Sequence, residues 1–479
     1  MVMTATSTRS DLGTGRPAPV RAWAKWAPLA VIMCGTFVFI LDFFVVNVAL
    51  PSIQRTLGAS PGAILWIVAG YGLTMAAFLV SGGRLGDHYG RRRWFSIGLA
   101  AFVASSVLCA VAPGPWFLVA ARLTQGMGAA VMAPNTLSLL GMIYTGRDQV
   151  RAFSVYGLVM AVAAIGGQLL GGALVDANIA GLGWRTVFWI NVPIGVAALV
   201  AAPRLIPESR AARTGKLDLP GAALLTAALV AIVLPLVEGR QEGWPAWSLA
   251  CLAVSPVLLA FFALYLRRAA RAGREPLLDP AIFAVPAFRN GLGVQLLFSA
   301  QQAAGFLVLA LYLQLGRGLS PLEAGEVFVA LAVGYVVTAF RAPALTIRYG
   351  RRVISIGALL CAVGNVLVMA AVWHWGTGGP LLGLMPGLVI GGAGQGLCIT
   401  PLTTTIMARA DASTAGSVSG ALSTTQQVGN AIGVAVTGVV FYNLVSHGYA
   451  VAFRWSLAEM TGVLLAMAVL TLTLPRQNG

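Results

Sequence analysis

Charge is scarce in this 479-residue chain. Asp, Glu, Lys and Arg make up 10% of it, hydrophobic residues make up 58%, and the mean hydropathy is +0.84. Soluble domains carry about 25% charged residues, so the composition excludes an ordinary soluble globule and points to an integral membrane protein. Lysine is nearly absent: Lys25 and Lys216 are the only two among 31 basic residues. No Gly-x-x-x-x-Gly-Lys-Ser/Thr occurs, which removes the usual phosphate cradle of a nucleotide-driven pump. His88, His374 and His447 lie far apart and form no zinc motif. Cys34, Cys109, Cys251, Cys361 and Cys398 all fall within apolar runs, without a Cys-x-x-Cys pair, and read as small hydrophobes. No His-x-x-x-x-Asp and no clustered nucleophile and base are present, so a membrane enzyme such as an acyltransferase is disfavoured. No metal site or cofactor is expected.

What the chain does have is length of apolar sequence. Runs of about 20 residues, each long enough to span a bilayer, give fourteen expected transmembrane helices. The first run, Ala27 to Leu50, is too long for a signal-peptide core, contains Asp42 and is followed by no small-residue cleavage site, so it reads as an uncleaved first helix. The net charge of +16 sits in short clusters between the runs, a pattern of membrane topology and not of nucleic-acid binding. With the N-terminus inside, 25 of the 31 basic residues fall on the cytoplasmic side. Outside remain only Arg55, Arg185, Arg240, Arg317 and Arg454, with Arg122 inside a span. The expected placement is therefore the cytoplasmic membrane with both termini cytoplasmic, and the bilayer is the expected surrounding partner.

The turn Gly83-Arg84-Leu85-Gly86-Asp87-His88-Tyr89-Gly90-Arg91-Arg92 returns in part as Leu345 to Arg352, with Tyr-Gly-Arg-Arg repeated at an offset of 260 residues. A basic glycine turn repeated once per half indicates a duplicated transporter. The turn resembles the loop between helices two and three of the major facilitator superfamily, Gly-x-Leu-x-Asp-x-x-Gly-Arg-Arg/Lys, at Gly83, Leu85, Asp87, Gly90, Arg91 and Arg92. The second copy departs, with Pro343 and Ile347 at the positions of Gly83 and Asp87. The offset is too long for six plus six helices and fits two extra helices inserted between the halves. The expected fold is all-α, with two six-helix bundles plus two inserted helices. The expected divisions are a tail at 1–25, an N-terminal bundle at 26–205, linkers and the inserted helices at 206–280, a C-terminal bundle at 281–475 and a terminus at 476–479.

On these span boundaries Asp42 is the only carboxylate deep inside a helix, and Arg122 is the only basic residue so placed. Measured from Pro51 and Pro115, their depths differ by roughly 3 Å at 1.5 Å per residue, close enough to pair directly or through water or substrate. An ion pair that only orients two helices and a carboxylate that loads and releases a proton are both compatible with this. Asp42 lies in Leu41-Asp42-Phe43-Phe44-Val45-Val46-Asn47-Val48-Ala49-Leu50-Pro51, and Arg122 opens Arg122-Leu123-Thr124-Gln125-Gly126-Met127-Gly128-Ala129-Ala130. The two stretches resemble the first-helix and fourth-helix signatures of the fourteen-helix drug/proton antiporters. That resemblance implies a role in proton transfer for Arg122 and export of drug-like or antibiotic molecules, of the multidrug and quaternary-ammonium efflux type. By the same resemblance Asp87 and Arg91 form a latch between the halves.

Helix five carries Gly167-Gln168-Leu169-Leu170-Gly171-Gly172, which is similar to the family's antiporter motif with Gln168 in place of the usual proline. Glycines so spaced allow close helix packing, and Gln168 reads either as a tolerated substitution or as an amide facing the cavity. Asn47, Gln125, Gln301 and Tyr312 are candidate cavity residues. The expected partners are a small-molecule substrate and protons, with the protein acting as a monomer. A metabolite symporter and a lipid exporter of the same fold remain alternatives.

Overall fold

The computed structural model describes residues 22–210, 218–239, 242–274, 276–278, 280–407 and 415–474. Arg9, Arg16, Arg21, Arg213, Lys216, Arg240, Arg409 and Arg476, all counted in the charge census, lie outside the described residues.

Fourteen helices are long and apolar enough to cross a membrane among the described residues. The first set is α1 (Ala22–Leu57), α2 (Pro61–Tyr89), α3 (Arg91–Ala110), α4 (Pro115–Ile143), α5 (Gly146–Ala177), a sixth span Gly183–Leu205 whose long helix is α6 (Asn191–Leu205), and α7 (Leu219–Glu238). The second set is α8 (Ala246–Arg271), α9 (Pro286–Leu311), α10 (Pro321–Ala339), α11 (Arg352–Trp375), α12 (Met385–Met407), α13 (Ala415–Leu444) and α14 (Tyr449–Thr471). Starts follow local chemistry. Ser60 and Ser320 each cap a helix whose first residue is proline, and at Ser320 the Glu323 side chain completes a capping box. Arg454, assigned to the outside by the charge census, lies near the start of α14.

The two halves repeat one packing pattern. In the first, α1 packs on α5 and α6, α4 packs on α2 and α3, and α3 packs on α6; in the second, α9 packs on α13 and α14, α12 packs on α10 and α11, and α11 packs on α14. Close backbone approach supports this at equivalent places. A Cβ on Gly98 would come within 2.8 Å of the Gly128 carbonyl oxygen, and one on Gly357 within 2.8 Å of that of Gly394.

Between the halves, α2 packs on α13 and α5 on α10. At the end bearing the loop after α1, the halves are also tied by hydrogen bonds. Gln314 Nε2 donates to the Val48 carbonyl at 2.7 Å, and the Leu322 amide donates to Asp176 Oδ2 at 3.0 Å. The inserted helices α7 and α8 pack on each other, with α7 docked against α2 and α13. Trp66 Nε1 on α2 fixes that dock by donating to Glu238 Oε1 at 2.7 Å.

Candidate functional site: a buried ion pair beside a central cavity

Asp42 and Arg122 meet directly: Arg122 Nη1 donates to Asp42 Oδ2. An ionised side chain at mid-membrane costs about 2.5–3.5 kcal/mol on insertion scales, and the surroundings show how this pair offsets it. The other oxygen, Asp42 Oδ1, accepts from Gln125 Nε2 at 2.9 Å and from Asn191 Nδ2 at 2.9 Å. Arg122 Nη1 also donates to Gln125 Oε1 at 2.6 Å, and its Nε donates to the Ile67 carbonyl at 3.1 Å. Ser106 Oγ accepts from Gln125 Nε2 at 2.8 Å. The guanidinium lies over the Tyr71 ring, 4.4 Å from its centroid. Five helices or helix approaches of the N-terminal half thus contribute to one cluster, within which Asp42, Ser106, Gln125 and Asn191 are wholly buried.

Gln125 therefore belongs to the charge cluster and not to a cavity wall. Neither Ser106 nor Asn191 was assigned to the site from sequence. Asn191 sits at the first position of α6, 149 residues from Asp42, and nothing local announces the contact. Glu459 was missed outright: it lies midway along α14, so Asp42 is not the only carboxylate deep inside a span. Its Oε2 accepts from Thr437 Oγ1 on α13 at 2.8 Å.

A cavity of about 700 Å³ opens between the halves. Its wall is aromatic and amide-rich, with Phe43, Phe44, Tyr71, Phe306 and Phe328 set among Gln168, Gln302, Gln395, Gln426, Gln427 and Asn430. Gly83, Arg84 and Asp87 line its mouth, at the end of the bundle opposite the Gln314 and Asp176 contacts. Tyr71 is shared: the residue borders the cavity, and its buried ring carries the Arg122 guanidinium.

Of the other residues expected to face the cavity, Asn47 bonds back to the Phe43 and Phe44 carbonyls. Tyr312 stacks on Phe453 at 4.4 Å and donates to the Gly376 carbonyl at 2.6 Å. Gln301 borders a small side pocket between α9, α11 and α12. None of the three lines the central cavity. On α5, a Cβ on Gly167 would come within 2.9 Å of Phe44 Cβ, and one on Gly171 within 2.8 Å of Val45 Cγ2; both residues let α1 approach. Gly172 faces the other half, where its Cβ would come within 2.3 Å of the Pro321 carbonyl oxygen.

The turn at 83–93 is built around Gly90, whose φ of 116° suits glycine. Arg91 Nε donates to Asp87 Oδ1 at 2.8 Å, so in this open-mouthed state the pair lies within its own turn and does not bridge the halves. Glu208, in the linker after α6, accepts from the Arg92 and Arg93 amides at 3.0 and 3.2 Å and clamps the turn. Gly83 packs against Pro134 on α4. In the second copy Ile347 is 88% exposed and offers no counterpart to Asp87.

Residues 32–310 match the model of the Major Facilitator Superfamily. The chain belongs to that superfamily. It is 38% identical over 433 residues to the probable actinorhodin transporter of Streptomyces coelicolor, which covers 90% of this chain and 75% of that protein. It is 34% identical to the puromycin resistance protein pur8 of Streptomyces alboniger, covering 93% and 90% of the two chains. It is likewise 34% identical to the cephamycin export protein CmcT of Amycolatopsis lactamdurans, covering 98% and 96%. A crystal structure of a POT family transporter in complex with a thioalcohol-conjugated peptide superposes with a TM-score of 0.68 at 15% identity, covering 95% of this chain and 97% of that one. At that identity the likeness concerns the fold alone. The protein is a multi-pass transporter of this superfamily and not an enzyme.

Proposed function

We propose that the chain is a proton-coupled exporter of drug-like or antibiotic small molecules, of the fourteen-helix drug/proton antiporter branch, with both termini cytoplasmic. The observation that carries this reading is Tyr71, a buried residue at the cavity wall whose ring supports the Asp42–Arg122 pair. A guest pressing on that wall acts on the helices that hold the carboxylate. Release of the carboxylate from Arg122 is what lets it take a proton. The two halves then rock about the midplane cavity, closing the mouth at Asp87 and opening the end now held by Gln314 and Asp176. Relatives named a puromycin resistance protein and a cephamycin export protein support the direction and the kind of cargo.

The test is transport in inside-out membrane vesicles with an imposed pH gradient, acid inside. Antibiotic accumulation that follows the gradient and collapses with a protonophore is expected. Movement in the opposite sense would mark an uptake symporter, and indifference to the gradient would overturn proton coupling.

A further inference from the structure

Among the described residues lining the central cavity, only Arg84 and Asp87 carry charge, and both sit at its mouth. The midplane wall is made of amides and rings. Most of the amides are already engaged: Gln302 Nε2 donates to Gln395 Oε1 at 3.3 Å, and Asn430 Nδ2 donates to Gln427 Oε1 at 3.0 Å. Gln168 is different. The residue borders the cavity and is 1% exposed, and neither Oε1 nor Nε2, both buried just behind the wall, has a hydrogen-bond partner.

The backbone that holds Gln168 is fixed from two sides. Gly167 and Gly171 admit α1, and a Cβ on Gly325 of α10 would come within 2.8 Å of the Gln168 carbonyl oxygen. An amide held in place without a partner is a standing cost that a guest with matching groups removes. Beside it, Phe44 of the first half meets Phe306 of the second edge-on at 5.1 Å, and Phe306 stacks on Phe328 at 5.7 Å. These rings form an apolar slab spanning both halves, suited to a flat ring system.

We propose that Gln168 is the polar anchor of a binding site for neutral, planar aromatic molecules that present a hydrogen-bond donor and acceptor side by side, as a carboxamide does. The proposal rests on the central cavity being the transport site. Oε1 takes the donor and Nε2 gives to the acceptor, a two-point match that fixes the ring plane against the slab. Permanent cations are excluded, because no carboxylate at the midplane stands ready to offset the loss of their hydration. Ring faces alone attract cations too weakly to replace it. This narrows the cargo away from the quaternary-ammonium type that the family resemblance implies.

The test is equilibrium binding to the full-length protein in detergent, with no gradient, using three probes on one naphthalene body: a primary carboxamide, its N,N-dimethyl derivative and a trimethylammonium. Wild type should bind the carboxamide about tenfold more tightly than the dimethyl derivative, the loss of one good hydrogen bond, and should not bind the cation. Gln168→Leu should lose the preference for the primary amide, and Gln168→Glu should gain binding of the cation. Equal affinity of wild type for the carboxamide and its dimethyl derivative, or for the carboxamide and the cation, would overturn the proposal without relying on any variant. So would a folded Gln168→Leu protein that keeps the preference. A protein that shows the expected binding but no gradient-driven export would contradict the coupling reading alone. One that exports yet binds the cation would contradict only this assignment.

Discussion

Arg122 on α4 donates through Nη1 to Asp42 Oδ2 on α1, and the two side chains, 80 residues apart in sequence, are 1% and 0% exposed. Truncating one partner leaves the other charge buried and uncompensated, at a cost of about 3–5 kcal/mol. Arg122→Ala should therefore fail to give a stable protein in detergent, as read by thermal unfolding and size-exclusion profile. Arg122→Lys keeps the charge but cannot reach Asp42, Gln125 and the Ile67 carbonyl with one planar fork. It should fold and transport at a reduced rate. Wild-type rates in Arg122→Lys would show that the fork is not needed.

Asn191 donates to the same oxygen, Asp42 Oδ1, as Gln125 does. Asn191→Ala should lower stability by about 1–3 kcal/mol, the cost of removing one donor from a buried charged acceptor. The measurement is unfolding of purified protein by denaturant or heat. A melting curve superimposed on that of wild type would mean that the contact is energetically idle.

Asp87 accepts from Arg91 within its own turn while the cavity mouth beside it is open. If that carboxylate acts on the conformational equilibrium, Asp87→Asn should slow transport several-fold and leave substrate affinity nearly unchanged. Binding and transport that fall together in a normally folded variant would contradict the latch role.

The cytoplasmic placement of the end of α8 is tested by labelling. Arg271→Cys, introduced at the end of that helix, should react with a membrane-impermeant thiol reagent only when the cytoplasmic face is exposed. Labelling from outside in intact cells would refute the proposed orientation.

Much of the architecture was legible in the sequence because a bilayer imposes it. Each span must be long and apolar, so length alone counts fourteen helices. The repeated turn at Gly90 and Gly350 marks the two halves, and both glycines take positive φ there. Asp42 and Arg122 stood out because charge inside a span is expensive. Amides gave no such signal: they are tolerated throughout membrane helices as interhelical bonds. Their facing is fixed only by packing, which is why Gln125 belongs to the ion-pair cluster and Gln302 and Gln395 to the cavity wall. Glu459 lies five residues after Arg454, and a charge so close by makes the stretch look like the end of a span, whereas α14 runs through both. Glu208 escaped because a carboxylate in a charged linker looks solvated, whereas here it caps the Arg92 and Arg93 amides.

The central claim is that Asp42 carries the coupled proton, and the most direct measurement is proton movement on substrate addition in liposomes containing purified protein. Asp42→Asn keeps the shape of the side chain and an oxygen that accepts from Arg122, but removes its counter-charge, so the variant should be less stable than wild type and is assayed as the fraction that is folded and binds substrate. Wild type should show a proton flux that tracks substrate and vanishes without it. Asp42→Asn should show no substrate-linked proton flux while still letting substrate equilibrate slowly down its own gradient. Coupling at the wild-type level in Asp42→Asn would contradict the account and place the proton carrier elsewhere, with Glu459 on α14 the next carboxylate to examine.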